Sequence, residues 1–432
     1  MDLTRRALCA SLTGLGAAVL PARRAAAAPV RAAVPVAQAA THSASESAAD
    51  EGYWAEITRA FDLDHTLINL NSGAVSASPR VVLDALIRDL RFCNEAPVHH
   101  LWDILEPRVE SVRRELSREL GCDPEEITIT RGATEALETL IFGIDLAAGD
   151  EVLLTDQNHP RMIASWEQRA RREGLVVRKI SIPVPLSSAS QLLERFRAAI
   201  TPRTRVIEIS HVVHLTGQIL PIRELVALGR ERGIEVFVDG AHAFGHFPFK
   251  RDDLQCDYYG TSLNKWLLGP VGTGFLYVRK GCIRKIWPMV GAAARLDDDI
   301  RKFEEIGTHP VALHNAVAEA LAFHRGIGAE RKAARLRYLR DRWAKRLLQA
   351  DARVKLLTPL DDSHACAIAT LHIDGIEPQR LQAHLFERHR ILTSLVSRPD
   401  FTGLRITPNI YTTAWELDLF CEKIEEVLAR GL

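Results

Sequence analysis

From Glu126 onward the chain alternates short runs of β-branched and aliphatic residues with longer stretches in which apolar and charged positions recur at helical spacing. The runs Glu126–Thr130, Glu151–Thr155, Val176–Ile180, Val206–Ile209 and Glu235–Asp239 read as strands. Thr134–Gly143, His159–Glu173 and Ile222–Arg232 read as helices, the last with Pro221 just ahead of it, where a first-turn proline belongs. Strands that alternate with helices in this way predict right-handed βαβ units and a mostly parallel sheet with helices on both faces, an α/β fold. After a further helical stretch, His314–Arg325, the pattern changes. The long charged helix Arg331–Ala350, strands near Ala365–Ile373 and Gly403–Thr407, and a final helix Ala414–Leu432 predict a smaller α+β domain.

The first residues follow a different pattern. Arg5 and Arg6 precede the weakly apolar run Ala7–Leu20, followed by Pro21 and the Ala25–Ala28 stretch. That run is too short to span a bilayer and reads as an export signal, with the paired arginines resembling a twin-arginine signal and implying a periplasmic destination. The Ala- and Ser-rich stretch up to Asp50 reads as a linker. The expected organisation is a signal over 1–28, a linker over 29–50, a large domain over 51–330 and a small domain over 331–432.

Composition narrows the partners. With 432 residues the chain can bury more than one core, and 55 Lys plus Arg balance 55 Asp plus Glu. No basic block concentrates positive potential, which disfavours nucleic acid or an anionic membrane as partner. Seven cysteines, at 9, 93, 122, 256, 282, 366 and 421, include no C-x-x-C pair.

Ligands of α/β sheets bind where strands end, so the residues just after the predicted strands carry the candidate chemistry. Arg131-Gly132-Ala133-Thr134-Glu135-Ala136 joins a strand to a helix start, where small residues and backbone N–H groups suit an anion. Asp239 ends the apolar strand Val236-Phe237-Val238, where a carboxylate can hold a protonated heterocyclic nitrogen. Lys265, in Thr261-Ser262-Leu263-Asn264-Lys265-Trp266 ahead of the glycine-rich Gly269–Gly274, has apolar neighbours that would desolvate its amine and make it a Schiff-base nucleophile. Arg405, in Leu404-Arg405-Ile406-Thr407, offers a guanidinium fork for a carboxylate. Singly, these features also read as a helix cap, a turn-forming strand end and a solvated lysine.

As an ordered set they resemble the class V aminotransferase family of fold-type I pyridoxal-phosphate enzymes, within it the isopenicillin N epimerase-like members. Leu70-Asn71-Ser72-Gly73-Ala74-Val75-Ser76 and Ile209-Ser210-His211-Val212-Val213-His214-Leu215-Thr216-Gly217 match too, so the resemblance runs from about Asn69 to the C-terminus. It implies a large domain with a mostly parallel seven-stranded sheet between helices, a smaller α+β C-terminal domain, pyridoxal 5′-phosphate as cofactor, an amino acid as substrate, and a homodimer with shared active sites. Lys265 would form the internal aldimine and move the Cα proton, and Asp239 would keep the pyridine nitrogen protonated. His159 would stack on the ring, with His242 and His214 approaching its hydroxyl. Ala133, Thr134 and Ser262, with Asn264 nearby, would hold the phosphate, and Thr308 would reach the phosphate of the neighbouring subunit. Arg405, with Asn71, would bind the substrate carboxylate. The implied reaction is epimerisation or transamination, with elimination by a lyase as the alternative.

The sequence departs from the family at His214, where relatives often carry Asn, Ser or Thr, and at Asn264, which replaces a His that commonly precedes the lysine. Desulfuration needs a cysteine in the loop ahead of the carboxylate-binding Arg, and none lies between Arg390 and Arg405; Cys366 falls in a predicted strand and reads as a buried thiol. His211, His214, Asp239, His242 and His246 could supply ligands to a metal hydrolase, but their spacing is not a well-specified metal pattern. A ligand-binding protein without turnover is the remaining alternative. For a second proton carrier, as epimerisation requires, the candidates are His99, His100 and His309, each with the plainer reading of a structural or surface histidine.

Overall fold

The computed structural model describes residues 43–186 and 188–432. The signal read over 1–28 and most of the linker lie outside the described residues. The end of that linker is helical: Ala44–Ala48 carries a capping box from Ser43, and Trp54 Nε1 donates to Ser47 O at 2.7 Å.

Thirteen short strands run along the described chain: β1 Ile68–Asn69, β2 Ile127–Thr130, β3 Glu151–Thr155, β4 Val176–Ile180, β5 Thr204–Ser210, β6 Glu235–Asp239, β7 Tyr258–Ser262, β8 Gly274–Val278, β9 Val354–Leu356, β10 Ala369–Ile373, β11 Ile391–Leu392, β12 Ser394–Ser397 and β13 Thr402–Ile406. Seven form the main sheet in the order β2-β8-β7-β6-β5-β3-β4. All of its neighbours are parallel except β8, which runs against both β2 and β7. This is the mostly parallel sheet that the alternation predicted, with the seven strands that the resemblance implied.

Period-2 side-chain alternation divides the core between its two faces. Ile127 and Ile129, Leu153, Ile207 and Ile209, Val236 and Val238, Tyr259 and Phe275 pack with helices Glu106–Leu120, Ile222–Arg232 and Val311–Ile327. Val152 and Leu154, Val206, Phe237, Tyr258 and Leu276 pack on the other side with helices Ala133–Gly143 and Pro160–Glu173. Strands buried on both faces read as continuous apolar runs, which made β2, β3, β5 and β6 legible; β7 and β8, equally buried, were absent from the sequence reading.

Several helices were absent from the sequence reading, among them Arg80–Glu95, Glu106–Leu120, Ala189–Ala199 and Pro378–His389. The first buries Val82 and Ala85 on one face yet exposes Leu83, Ile87 and Leu90 on another, so its apolar residues follow no single stripe. A smaller antiparallel sheet, β12-β13-β10-β9, packs with helices Ala329–Ala350 and Ala414–Arg430 around Trp343, Leu371, Leu404 and Phe420. The strand expected over Ala365–Ile373 begins only at Ala369, so Cys366 precedes it; the thiol is buried all the same, facing His246 O and Ala333 O.

A fourth apolar cluster lies under the Lys265 loop: Trp54 and Ile57 from helix Glu51–Thr58 meet Trp266, Leu268, Leu336 and Ile368. There Gly245 sits at φ +74, and a Cβ on it would lie 2.8 Å from Leu267 N and 2.9 Å from Leu267 Cα. The turn after β6 therefore packs backbone to backbone on the segment following Lys265. Gly245→Ala is expected to destabilise the fold by about 2 kcal/mol or more, from left-handed strain plus the clash. Denaturant unfolding checks this; an unchanged midpoint would mean the two segments are free to separate.

Candidate active site

Strands β2, β3, β5, β6 and β7 all point the same way, so their C-terminal ends share one edge of the sheet. The segments that leave that edge carry Gly132–Thr134, His159, His211–His214, Asp239–His242 and Ser262–Lys265.

Lys265 Nζ lies 3.2 Å from His242 Nε2. Loss of hydration pushes the ammonium down to about 8, against the pull of Asp239. Asp239 is buried; its Oδ1 accepts the Ala241 N–H at 2.9 Å, and burial raises its carboxyl above the usual range while Lys265 and His159 oppose the shift. His159 is the N-cap of helix Pro160–Glu173, with Nδ1 accepting the Arg161 N–H, and its ring centroid is 5.0 Å from that of His214. Burial holds His159, His214 and His242 below the ordinary histidine value.

At the helix start after β2, Ser262 Oγ accepts the Ala133 N–H at 2.9 Å. The first intrahelical bond there is Ala136 N–H to Gly132 O, so the amides of Thr134 and Glu135 precede it and remain the donors that an anion would meet. Thr134 is exposed, and Asn264 O accepts the Ser76 N–H at 3.0 Å.

Arg405 reaches the same place from β13. Nη1 donates to His214 O at 2.6 Å and Nη2 to Asn71 Oδ1 at 3.1 Å, while Nε has no partner. No carboxylate pairs with it among the described residues, and burial pushes it down to about 10. Asn71 is fixed by a parallel bridge to Thr407.

These groups fit a pyridoxal-phosphate-type cofactor and an amino acid. A buried acid with no cation in contact suits a protonated ring nitrogen. Buried His242 Nδ1, His214 Nδ1 and Arg405 Nε stand without partners, and a buried polar atom left unmatched is the signature of a missing ligand. Lys265, whose amine would be the nucleophile, stands beside His242.

Other sequence candidates fall elsewhere. His246 stacks on Trp266 with centroids 3.8 Å apart, its Nδ1 on His242 O at 2.8 Å, and its Nε2 accepts the Ala367 N–H at 2.9 Å; both nitrogens are taken. His211 packs edge-on to Phe249 at 4.9 Å, and burial pushes it down to about 3. Among the described residues no three His, Cys, Asp or Glu are grouped to hold a metal ion. Thr308 sits exposed in a loop ahead of helix Val311–Ile327. His99 pairs with Asp103 at 2.7 Å, His100 stacks on Phe92, and His309 Nδ1 lies 2.8 Å from Gly307 O.

Two buried groups near the site escaped the sequence reading. Glu208 on β5 is fully buried; Oε2 accepts Trp166 Nε1–H, Oε1 has no partner, and burial pushes it up to about 8. An acid inside an apolar strand was a visible signal. Lys332, also fully buried, donates Nζ–H to Trp266 O, the carbonyl next to Lys265; within so basic a helix it carried no signal.

The family model for class-V aminotransferases matches residues 68–394. The chain belongs to the class-V aminotransferase family. It is 33% identical over 395 residues to the isopenicillin N epimerase of Amycolatopsis lactamdurans, covering 87% of this chain and 98% of that protein. It is 30% identical to a Pseudomonas aeruginosa protein named "Probable cysteine desulfurase", covering 82% and 92%. Among solved structures, a mutant of the enzyme C-DES with glycine covalently linked to its pyridoxal-phosphate cofactor superposes with TM-score 0.75 at 24% identity, covering 84% of this chain and 97% of that one. The fold is thus that of the fold-type I pyridoxal-phosphate-dependent enzymes, with the family's central sheet and small C-terminal sheet.

Only a neutral amine has the lone pair that attacks an aldehyde. Capture of an aldehyde by Lys265 is therefore expected to speed up with pH and level off above about 8, where an unperturbed lysine would level off near ~10.4. Borohydride trapping as a function of pH measures this; a midpoint near the unperturbed value would show a hydrated lysine.

Proposed function

We propose that this family member is a pyridoxal 5′-phosphate enzyme acting at the Cα of an amino acid, an epimerase first and an aminotransferase second. What carries the reading is three buried groups around Lys265 that lack part of their partners: the acid Asp239, with no cation in contact, the guanidinium of Arg405, with Nε unbonded, and the ring of His242, with Nδ1 unbonded. The bound cofactor supplies an aldehyde that condenses with an amine and a ring that accepts the electron pair of a broken Cα bond.

The chain's residues do the rest. Asp239 accepts the ring N–H and keeps that nitrogen cationic. Arg405 clamps the α-carboxylate bidentately, with Asn71 holding the fork in place, and so fixes where Cα sits. His159 covers the ring. The amides of Thr134 and Glu135 and the hydroxyls of Thr134 and Ser262 take the phosphate at the helix start, with Ala133 tying that turn to Ser262. Lys265 moves the α-proton with an amine that burial brings near neutrality.

The similarity to a protein named as a desulfurase makes a lyase the alternative to both. Against sulfur transfer, the turn between β12 and β13 carries Arg398, bonded to Asp156 O at 2.7 Å, with no cysteine there. Cys366 is buried and pushed up to about 11, so its thiolate is scarce.

A homodimer is part of the proposal. Leu83, Ile87 and Leu90 form an exposed stripe on helix Arg80–Glu95, and Val98 and Trp102 follow at 76% and 40% exposure; an apolar face of this kind suits a second copy. The partner's copy would bring Thr308 toward the phosphate. Light scattering of a monomer at working concentration would reject this. Export through the twin-arginine-like segment is likewise proposed, and fractionation of cells expressing the full chain reads it, uncut cytoplasmic protein counting against it.

Loaded protein incubated with L-amino acids in deuterium oxide tests the chemistry. Cα deuteration with inversion and no keto acid is expected; keto acid with pyridoxamine phosphate would favour transamination, and no exchange with any amine would reject both. Lys265→Ala is expected to keep cofactor only noncovalently and to lose exchange by about 10³-fold or more. A borohydride-reducible adduct in that variant would identify another lysine.

A further inference from the structure

Epimerisation needs a proton to leave one face of Cα and another to arrive on the opposite face, and a single lysine serves one side at a time. The histidines suggested by the sequence for the second task are occupied: His99 by Asp103, His100 by Phe92, His309 by Gly307 O. Within the site His246 has both nitrogens bonded, His211 is walled in by Phe247, Phe249 and Tyr259, and His242 lies against Lys265 itself. His159 has Nδ1 taken by the Arg161 amide.

His214 differs from all of these. Its Nδ1 is buried with no partner, as are those of His211 and His242, but it alone of the histidines has its carbonyl as the acceptor for Arg405 Nη1, at 2.6 Å. Since the carboxylate that Arg405 would hold is bonded directly to Cα, this residue belongs near the reacting carbon, and its ring centroid lies 5.0 Å from that of His159. Its position is rigid. Val213 N–H donates to Gln218 O at 2.9 Å and Gly217 N–H to Val213 O at 2.7 Å, closing a turn around it. Gly217, at φ +74, lies so close to Ile368 that a Cβ would stand 2.1 Å from the Ile368 carbonyl oxygen. We propose that His214 is the second proton carrier, working across Cα from Lys265.

The proposal rests on the Lys265 reading above and deepens it. One carrier takes the α-proton as the Cα–H bond breaks; the electron pair stays on the substrate, delocalised into the bound cofactor. The other carrier gives a proton to the opposite face, where the same pair forms the new Cα–H bond. Burial, together with the positive charges of Arg405, Lys265 and Arg398 and the neighbouring His159, keeps the His214 ring neutral near pH 7, so its lone pair is available. Asn or Ser at this position could hydrogen-bond a ligand but could carry no proton.

The test compares wild type, His214→Asn and His214→Gln, each loaded with pyridoxal 5′-phosphate. Each is incubated in deuterium oxide with isopenicillin N and with both enantiomers of the common amino acids, and Cα deuteration is followed by NMR. Wild type should exchange both enantiomers of its substrate. Each His214 variant should lose exchange from one enantiomer by about 10²-fold or more and retain the other within a few-fold. Equal loss or equal retention overturns the proposal. A second readout is glycine affinity, taken from the change in cofactor absorption, which should stay within about threefold; a tenfold weakening would make His214 a carboxylate anchor and overturn it too. Cofactor attachment by borohydride reduction should be unchanged in both variants. If wild type exchanges nothing, or Lys265→Ala still forms the adduct, the underlying reading fails instead.

Discussion

An unpaired charge in a protein interior is expensive, and this fold keeps two of them at one sheet edge. Asp239 and Arg405 are both buried, neither touches an ion of opposite sign, and each titrates away from its ordinary value because of it. The pairing that would relieve them is intramolecular attraction, yet Arg405 is held off by His214 O and Asn71 Oδ1, and Asp239 by the Ala241 amide. A ligand with a cationic ring nitrogen and a carboxylate satisfies both at once, so the energy withheld from folding becomes available to binding.

Such an arrangement survives only if the loops bearing it cannot relax toward each other. His246 is the tie: it stacks on Trp266 and bonds the carbonyl of His242 and the amide of Ala367, joining the turn after β6, the Lys265 segment and the approach to β10. Lys332 adds a donor to the Trp266 carbonyl from helix Ala329–Ala350. These contacts lie one layer behind the reacting groups, and the strained or unpaired side chains in front depend on them.

The same scaffold serves relatives named for epimerisation and for desulfuration, so reaction type must lie in the few side chains around Cα and not in the sheet. In the proposed arrangement those positions hold the ring of His214 and an arginine turn ahead of β13, where a sulfur-transferring enzyme would need a thiol. Proton transfer suits them better than sulfur chemistry.

Asp239 and Lys265 were legible in the sequence because their chemistry is local. An acid that ends an apolar strand, or a lysine between apolar neighbours before a glycine-rich turn, announces itself within a few residues, and continuous apolar runs mark most of the sheet's buried strands. The helix Arg80–Glu95 before β2 was not legible, because apolar residues on two faces blur the helical stripe. Nor was the use of each histidine. His214 meets Arg405 across 191 positions and Asn71 meets it across 334, and whether a ring nitrogen ends up bonded, as in His246, or bare, as in His214, depends on which distant backbone packs against it. The local pattern determines which side chains could do chemistry; only the packing of distant segments decides which of them are left without a partner to do it.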